Sequence, residues 1–237
     1  MPGEAPPLLF VHGLGCASSC DYPRVAADPA LAGRRRLLVD LLGYGFSDRP
    51  EDFGYTVEDH ADTLTALIDG LALPRIDLLG HSMGGAIAIV VAARNPGRVG
   101  RLVLSEPNLD AGGGFFSQPI AAQGEADYVA TGHAEMVRQA VAGGNDVWAA
   151  SLRLSSPLAV HRGSVSLVRG GDPSWRRLLE TLTIPRTLIV GARSQPDPET
   201  DRLQACGVAV RVVAGAGHSM ACENPAGYAA AIRAALP

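Results

Sequence analysis

Six short apolar runs, separated by longer amphipathic stretches, constrain this chain more than any other feature. They fall at Leu8–His12, Arg36–Asp40, Arg75–Gly80, Arg101–Ser105, Thr187–Gly191 and Val208–Val213. Each is nearly continuous in Leu, Ile and Val, the pattern of a strand covered on both faces. Runs of this kind with helix-length segments between them predict an α/β architecture, a mostly parallel, doubly wound sheet of about six strands flanked by helices. Val57, Ala61, Leu64, Leu67, Ile68 and Leu71 share one helical face, and Thr56 with Asp59 makes a capping box at its start. A further helix opens at Ser82 and continues through Ala86–Arg94. The last begins with Asn224 as N-cap and Pro225 in the first turn.

The rhythm breaks between about Asn108 and Arg176. This stretch opens with Gly112-Gly113-Gly114 and carries weak helical patterns at Ala126–Ala142 and Asn145–Leu154, with nothing resembling a central strand. A core of residues 1–108 and 176–237, with a helical insertion of 109–175 above the sheet, is the expected organisation. At 237 residues and 47% apolar, the chain is long enough to bury a sizeable core.

Charge and composition exclude several functions. A net charge of −4 leaves no footprint for nucleic acid or an anionic membrane, so a small-molecule substrate is expected. All 20 basic residues are arginine. Without lysine there is no Schiff-base enzyme and no Walker phosphate loop. The arginine-only, alanine-rich usage is that of a GC-rich bacterial genome. Cys16, Cys20, Cys206 and Cys222 show no paired Cys-x-x-Cys units and are expected to be reduced, partly buried thiols. No metal-ligand cluster and no nucleotide-binding glycine fingerprint occurs, so neither metal nor cofactor is expected. Met1–Leu9 lacks the pattern of a secretory leader, and no apolar run approaches the roughly 18 residues of a membrane span. A cytoplasmic protein is expected.

Gly80-His81-Ser82-Met83-Gly84-Gly85 sits where a buried strand gives way to a helix. With 14 serines and 28 glycines, chance supplies about 0.2 Gly-x-Ser-x-Gly matches, so context rather than the pattern carries the weight. A sharp strand–turn–helix needs small residues around its serine and lifts the hydroxyl above the strand ends, where open sheets bind ligands. Directly after the first strand, His12-Gly13-Leu14-Gly15 can offer the Leu14 N–H toward the same point as the Met83 N–H, two donors suited to an oxyanion. His12 itself fits a structural role. A serine hydroxyl needs a neighbouring base. Among six histidines, His218 in Gly217-His218-Ser219 is the one placed after the last strand.

These segments, together with Leu9-Phe10-Val11-His12-Gly13, Asp40-Leu41-Leu42-Gly43-Tyr44-Gly45-Phe46-Ser47-Asp48 and Gly215-Ala216-Gly217-His218-Ser219, resemble the α/β-hydrolase fold in the right order. The resemblance implies a serine nucleophile at Ser82, an oxyanion hole from Leu14 and Met83, and a cap in the insertion. The Asp40–Asp48 motif is structural in this family. Two departures stand out. The family sheet begins with a strand pair that is missing before Leu8, which implies about six strands and an exposed edge suited to pairing, hence a monomer or homodimer. Most relatives also place the triad acid in a Gly-x-x-Asp pattern after the fifth strand, where this chain reads Gly191-Ala192-Arg193-Ser194. Glu106, ending the preceding strand as in zearalenone-lactone hydrolases, is the preferred triad acid; Asp197 is the alternative. The acid's task is to accept the histidine's second N–H and stabilise the imidazolium.

A serine nucleophile sets this chain apart from haloalkane dehalogenases and epoxide hydrolases, which use a carboxylate there. The implied reaction is hydrolysis of an ester, thioester or lactone of a small, largely apolar substrate through an acyl-serine. Carbon–carbon bond hydrolases and cofactor-free perhydrolases share the triad, and receptors share the fold. Phe115, Phe116, Tyr128, Met136 and Trp148 are the bulky apolar members of the insertion, as cap core or pocket wall. Hydrolysis is expected to fall away below about pH 6, where an imidazole base protonates.

Overall fold

The computed structural model describes residues 6–236; Met1–Ala5, part of the stretch read for a leader, and Pro237 lie outside the described residues. Strands β1 (Leu8–Val11), β2 (Arg36–Val39), β3 (Ile76–His81), β4 (Val99–Ser105), β5 (Arg186–Gly191) and β6 (Ala209–Val213) form one sheet in the order β2-β1-β3-β4-β5-β6. Every pairing is parallel. Each strand lies within two residues of an apolar run in the sequence.

Alternation along the strands divides the interior in two. Leu9, Val11, Leu78, Leu102, Leu104 and Val190 pack on one face with the helices Val57–Gly70 and Met83–Arg94. Leu8, Phe10, Leu79, Val103, Ile189 and Val213 pack on the other with the helix Pro225–Ala235. The capping box at Thr56 and Asp59 is formed, and Asn224 accepts the Gly227 N–H at the last helix. Two-sided burial fails at the edges: Ala209, Arg211 and Val212 of β6 are exposed, and β2 is only half-buried. An edge strand has a neighbour on one side only, and helix coverage thins there. The thiols also depart from expectation, since Cys20, Cys206 and Cys222 are exposed and only Cys16 is half-buried. All three exposed thiols sit on or beside short surface helices.

Between β4 and β5 the chain is helical, with Ser117–Ala121, Glu125–Asp127, His133–Ala142, Asp146–Arg153, Pro157–Arg169 and Trp175–Thr181. The single helix read over Ala126–Ala142 is interrupted by a π turn at Tyr128–Gly132. Glycine at 132 and the Thr131 hydroxyl, which donates to the Asp127 carbonyl, ease that deviation. The helix Pro157–Arg169, with Ser156 as N-cap, lies beyond the two helical patterns read in this stretch. Several hydrogen bonds tie the insertion to the segments leaving β1 and β2 and to the helix start at Val57. Trp148 Nε1 donates to the Leu14 carbonyl at 3.0 Å, Tyr44 Oη to the Ala159 carbonyl at 3.1 Å, and the Val57 N–H to Ser166 Oγ at 3.1 Å. Among the described residues no helix is long and apolar enough to cross a membrane.

Candidate active site

The strand order reverses between β1 and β3, so their carboxyl ends diverge and leave a crevice. Ser82 stands there, between β3 and the helix that follows, with φ 52° and ψ −120°. A side chain in that left-handed region costs on the order of 1–3 kcal/mol, which the surroundings must supply. They do so by close approach. A Cβ on Gly80 would strike the Gly84 carbonyl oxygen, and one on Gly84 would strike the carbonyls of Val11 and His12. Glycine at both positions lets the turn close against β1. The Ser82 N–H donates to the Ser105 carbonyl at 3.0 Å, and the Ser82 carbonyl accepts the Asn108 N–H at 3.2 Å. The turn is thereby strapped to the end of β4.

Glu106 follows β4, also at positive φ (42°). Its Oε2 accepts the His218 Nδ1–H at 2.7 Å and its Oε1 accepts the Gly191 N–H at 2.9 Å. Burial by itself would raise this carboxyl, but the bonds from His218, Gly191 and the Ser194 hydroxyl prevail and bring it down to about 2. Glu106 is therefore a carboxylate at every pH where the protein would work. Asp197, by contrast, caps the helix Pro198–Ala205 by accepting the Glu199 N–H at 3.0 Å and makes no bond to His218. The ends of β1, β3 and β4 and the loop after β6 thus bring Leu14, Ser82, Glu106 and His218 to one cavity of about 390 Å³.

The Ser82 hydroxyl bonds to Asn108 Oδ1 at 3.4 Å rather than to His218. Long or misaligned contacts of this kind are usual before substrate arrives. Among the described residues neither the Leu14 nor the Met83 N–H has a protein acceptor, which leaves both free for a ligand. Met83 itself is buried beneath the site and opens the helix, whose positive end faces the crevice.

The remaining histidines near the crevice are neutral. The Leu41 N–H donates to His12 Nε2 at 3.0 Å, so the proton sits on Nδ1, which donates to the Gly13 carbonyl. Burial lowers His12 to about 4, in keeping with a structural role. His81 stacks on His218 with ring centroids 4.6 Å apart and hydrogen-bonds Ser105, whose hydroxyl contacts Tyr228 Oη at 2.7 Å. Burial, and then the neighbouring His218, lower His81 to about 3. Asp40, from the structural motif, accepts from the Ser19 and Phe46 N–H groups and staples two loops.

Three participants escaped the sequence. Asn108 follows Glu106 by two residues and has no motif around it. Trp148 is recognisable as a bulky insertion residue, but not as the donor that holds the Leu14 loop. The His81 stack depends on how two strand ends approach. Phe116 lies 4.3 Å from Trp148 between centroids, and both line the cavity with Phe115, which is 86% exposed at its rim.

A family profile described as alpha/beta hydrolase fold matches residues 6–225. The chain is 39% identical over 103 residues to a 2-hydroxy-6-oxo-2,4-heptadienoate hydrolase of Pseudomonas putida, a match covering 43% of this chain and 37% of that protein. The chain thus spans little more than a third of the length of that curated relative. Among solved structures, an esterase from Thermogutta terrifontis superposes with a TM-score of 0.75 at 23% identity, covering 98% of this chain and 90% of that one. The N-acyl homoserine lactonase AidH, complexed with N-butanoyl homoserine, superposes at 0.71 and 22% identity, covering 97% and 88%.

Proposed function

The chain belongs to the alpha/beta hydrolase fold family, and we propose that it is a serine hydrolase acting on an ester, thioester or lactone of a small, largely apolar substrate. One observation carries this: a serine held at positive φ opens into the same cavity as a histidine whose Nδ1–H is bound by a carboxylate at 2.7 Å. Ser82 Oγ turns from Asn108 to attack the carbonyl while His218 Nε2 takes its proton. Leu14 and Met83 donate to the oxyanion that forms. Collapse expels the leaving group, which takes the proton from His218, and leaves acyl-Ser82. His218 then deprotonates a water that attacks the acyl carbon, and the carboxylic acid and free Ser82 result. Glu106 fixes the tautomer throughout and stabilises the imidazolium. Residues 109–175 act as a cap, with Phe116 and Trp148 as an apolar wall for the acyl group.

A second reading is hydrolysis of a carbon–carbon bond with the same residues, favoured by the name of the Pseudomonas putida relative. Initial rates on p-nitrophenyl esters from acetyl to dodecanoyl, with Ser82→Ala as the blank, test the first. Turnover that disappears in the variant supports a serine hydrolase, and the chain-length optimum sizes the cavity. Ester turnover that survives in Ser82→Ala would remove Ser82 from the reaction. Loss of dienol absorbance from a ring-fission dienoate, with no ester turnover, would favour the second.

A further inference from the structure

A second cavity, of about 460 Å³, adjoins the first and shares His81, Asn145, Trp148 and His218 with it. Ser82, Gly13 and Leu14 line only the first, whereas Asp21, Tyr22 and Tyr228 line only the second. Glu106, which binds Nδ1, lines the first cavity and a third that also touches His218, but not the second, so the second lies away from the Nδ1 side of the ring. The leaving group departs on the side from which His218 delivers its proton, which is the Nε2 side. The second cavity is therefore the place for that group.

Its chemistry is one-sided. Among the described residues no arginine lines it. Asp21 accepts from the Ser151 hydroxyl at 3.4 Å and lies beside the Cys16 thiol, and among the described residues it has no ion-pair partner. Burial, with Asp40 adding to it, raises that carboxyl to about 6 against the pull of its hydrogen bonds, so at neutral pH it is a half-buried carboxylate without an ion-pair partner among the described residues. Tyr22, 1% exposed, has a hydroxyl with no partner among the described residues, and Tyr228, Asp21, Cys16 and Cys222, all lining the cavity, surround its phenol. Glu223 is already held by Arg193 and the Gly217 N–H. A carboxylate-bearing substrate would be repelled by Asp21 and would find no arginine in the lining to pair with. A cation would neutralise Asp21 and lie within reach of the Trp148 ring.

We propose that this cavity seats the leaving group of the substrate and that Asp21 binds a protonated amine carried on it. The proposal rests on the serine-hydrolase reading above and adds a charge to it. Two butanoate esters of nearly equal shape test it, those of 2-(dimethylamino)ethanol and 3-methylbutanol. At neutral pH the wild-type protein should favour the amine ester in kcat/KM by about tenfold, the scale of one part-buried charge pair. In Asp21→Asn, whose side chain keeps the shape, that ratio should fall to near unity. Equal rates on the two esters in the wild type, or a preference unchanged in Asp21→Asn, overturn the subsite.

A separate measurement on the wild-type protein guards against a variant that does not fold. Choline should inhibit competitively, and 3,3-dimethylbutanol, its uncharged analogue, should do so at least about tenfold more weakly; equal potency overturns the proposal. If neither ester turns over, the hydrolase reading fails by itself. The subsite is then decided by tryptophan emission, since Trp148 lines the cavity. A saturable change with choline and none with 3,3-dimethylbutanol retains it, and no change with choline overturns it.

Discussion

Glu106 is held by two donors, the His218 Nδ1–H and the Gly191 N–H, at a backbone angle that a side chain rarely adopts. Replacing one carboxylate oxygen by an amide leaves the shape but puts a donor where an acceptor is needed. Glu106→Gln is expected to lower kcat by about a hundredfold or more, whereas Asp197→Asn, which can still cap its helix, should stay within about twofold of wild type. Steady-state rates on a butanoyl ester check both, and the reverse order would move the acid to Asp197. Because the folded carboxyl is depressed to about 2 from an ordinary 4.5, its contribution to stability is complete above pH 4.5 and is lost as pH falls toward 2. A loss of rate that sets in above pH 5 therefore belongs to another group.

At the scale of elements, the turn between β3 and its helix is the part with least tolerance. Gly84 approaches the carbonyls of Val11 and His12, which are backbone atoms at the end of β1 and cannot swing aside. Gly84→Ala is expected to cost at least about 3 kcal/mol, the upper range of overpacking, because neither strand nor helix can yield. Urea unfolding gives the value directly, and a loss below about 1 kcal/mol would show that the turn relaxes. The glycine pattern is visible in the chain, while the identity of what each glycine approaches is not. Trp148 illustrates the opposite limit: its place on an amphipathic helix is legible, but its bond to Leu14, 134 residues away, depends on how the insertion folds back.

Across the whole molecule, three histidines are held neutral chiefly by loss of solvation: the buried His12 at about 4 and His60 at about 3, and the half-buried His81 at about 3. His60 lies among Tyr44, Phe53 and Tyr55 with neither ring nitrogen bonded. In the unfolded chain all three take up protons near pH 6.5, so stability falls as pH drops below that value toward 4. Asp21, raised to about 6, acts in the opposite direction between pH 6 and 3.8 and offsets one of them. His133 is lowered by burial in the same direction, so the histidines outweigh Asp21 and stability falls as pH drops over this range. Acid unfolding followed by circular dichroism should therefore have its midpoint near pH 4 or above. His60→Leu should move it lower, because an apolar side chain has no proton to gain; a protein still folded at pH 3 would contradict this account.

The residues of the chain by themselves determined the six strands, the helix caps at Thr56 and Asn224, and the positions of Ser82 and His218, because periodicity, capping and turn chemistry act over a few neighbouring residues. They also named Glu106 and Asp197 as rivals but could not separate them. Only the tertiary structure decided which carboxylate reaches His218, which amide holds the Ser82 hydroxyl, which strands are edges, and that Asp21 faces a cavity without a counter-charge. Those outcomes depend on strand order and on the fold-back of the insertion, which bring together side chains more than 100 residues apart, as with Glu106 and His218. No local pattern encodes such distances, since they follow from packing the whole chain at once.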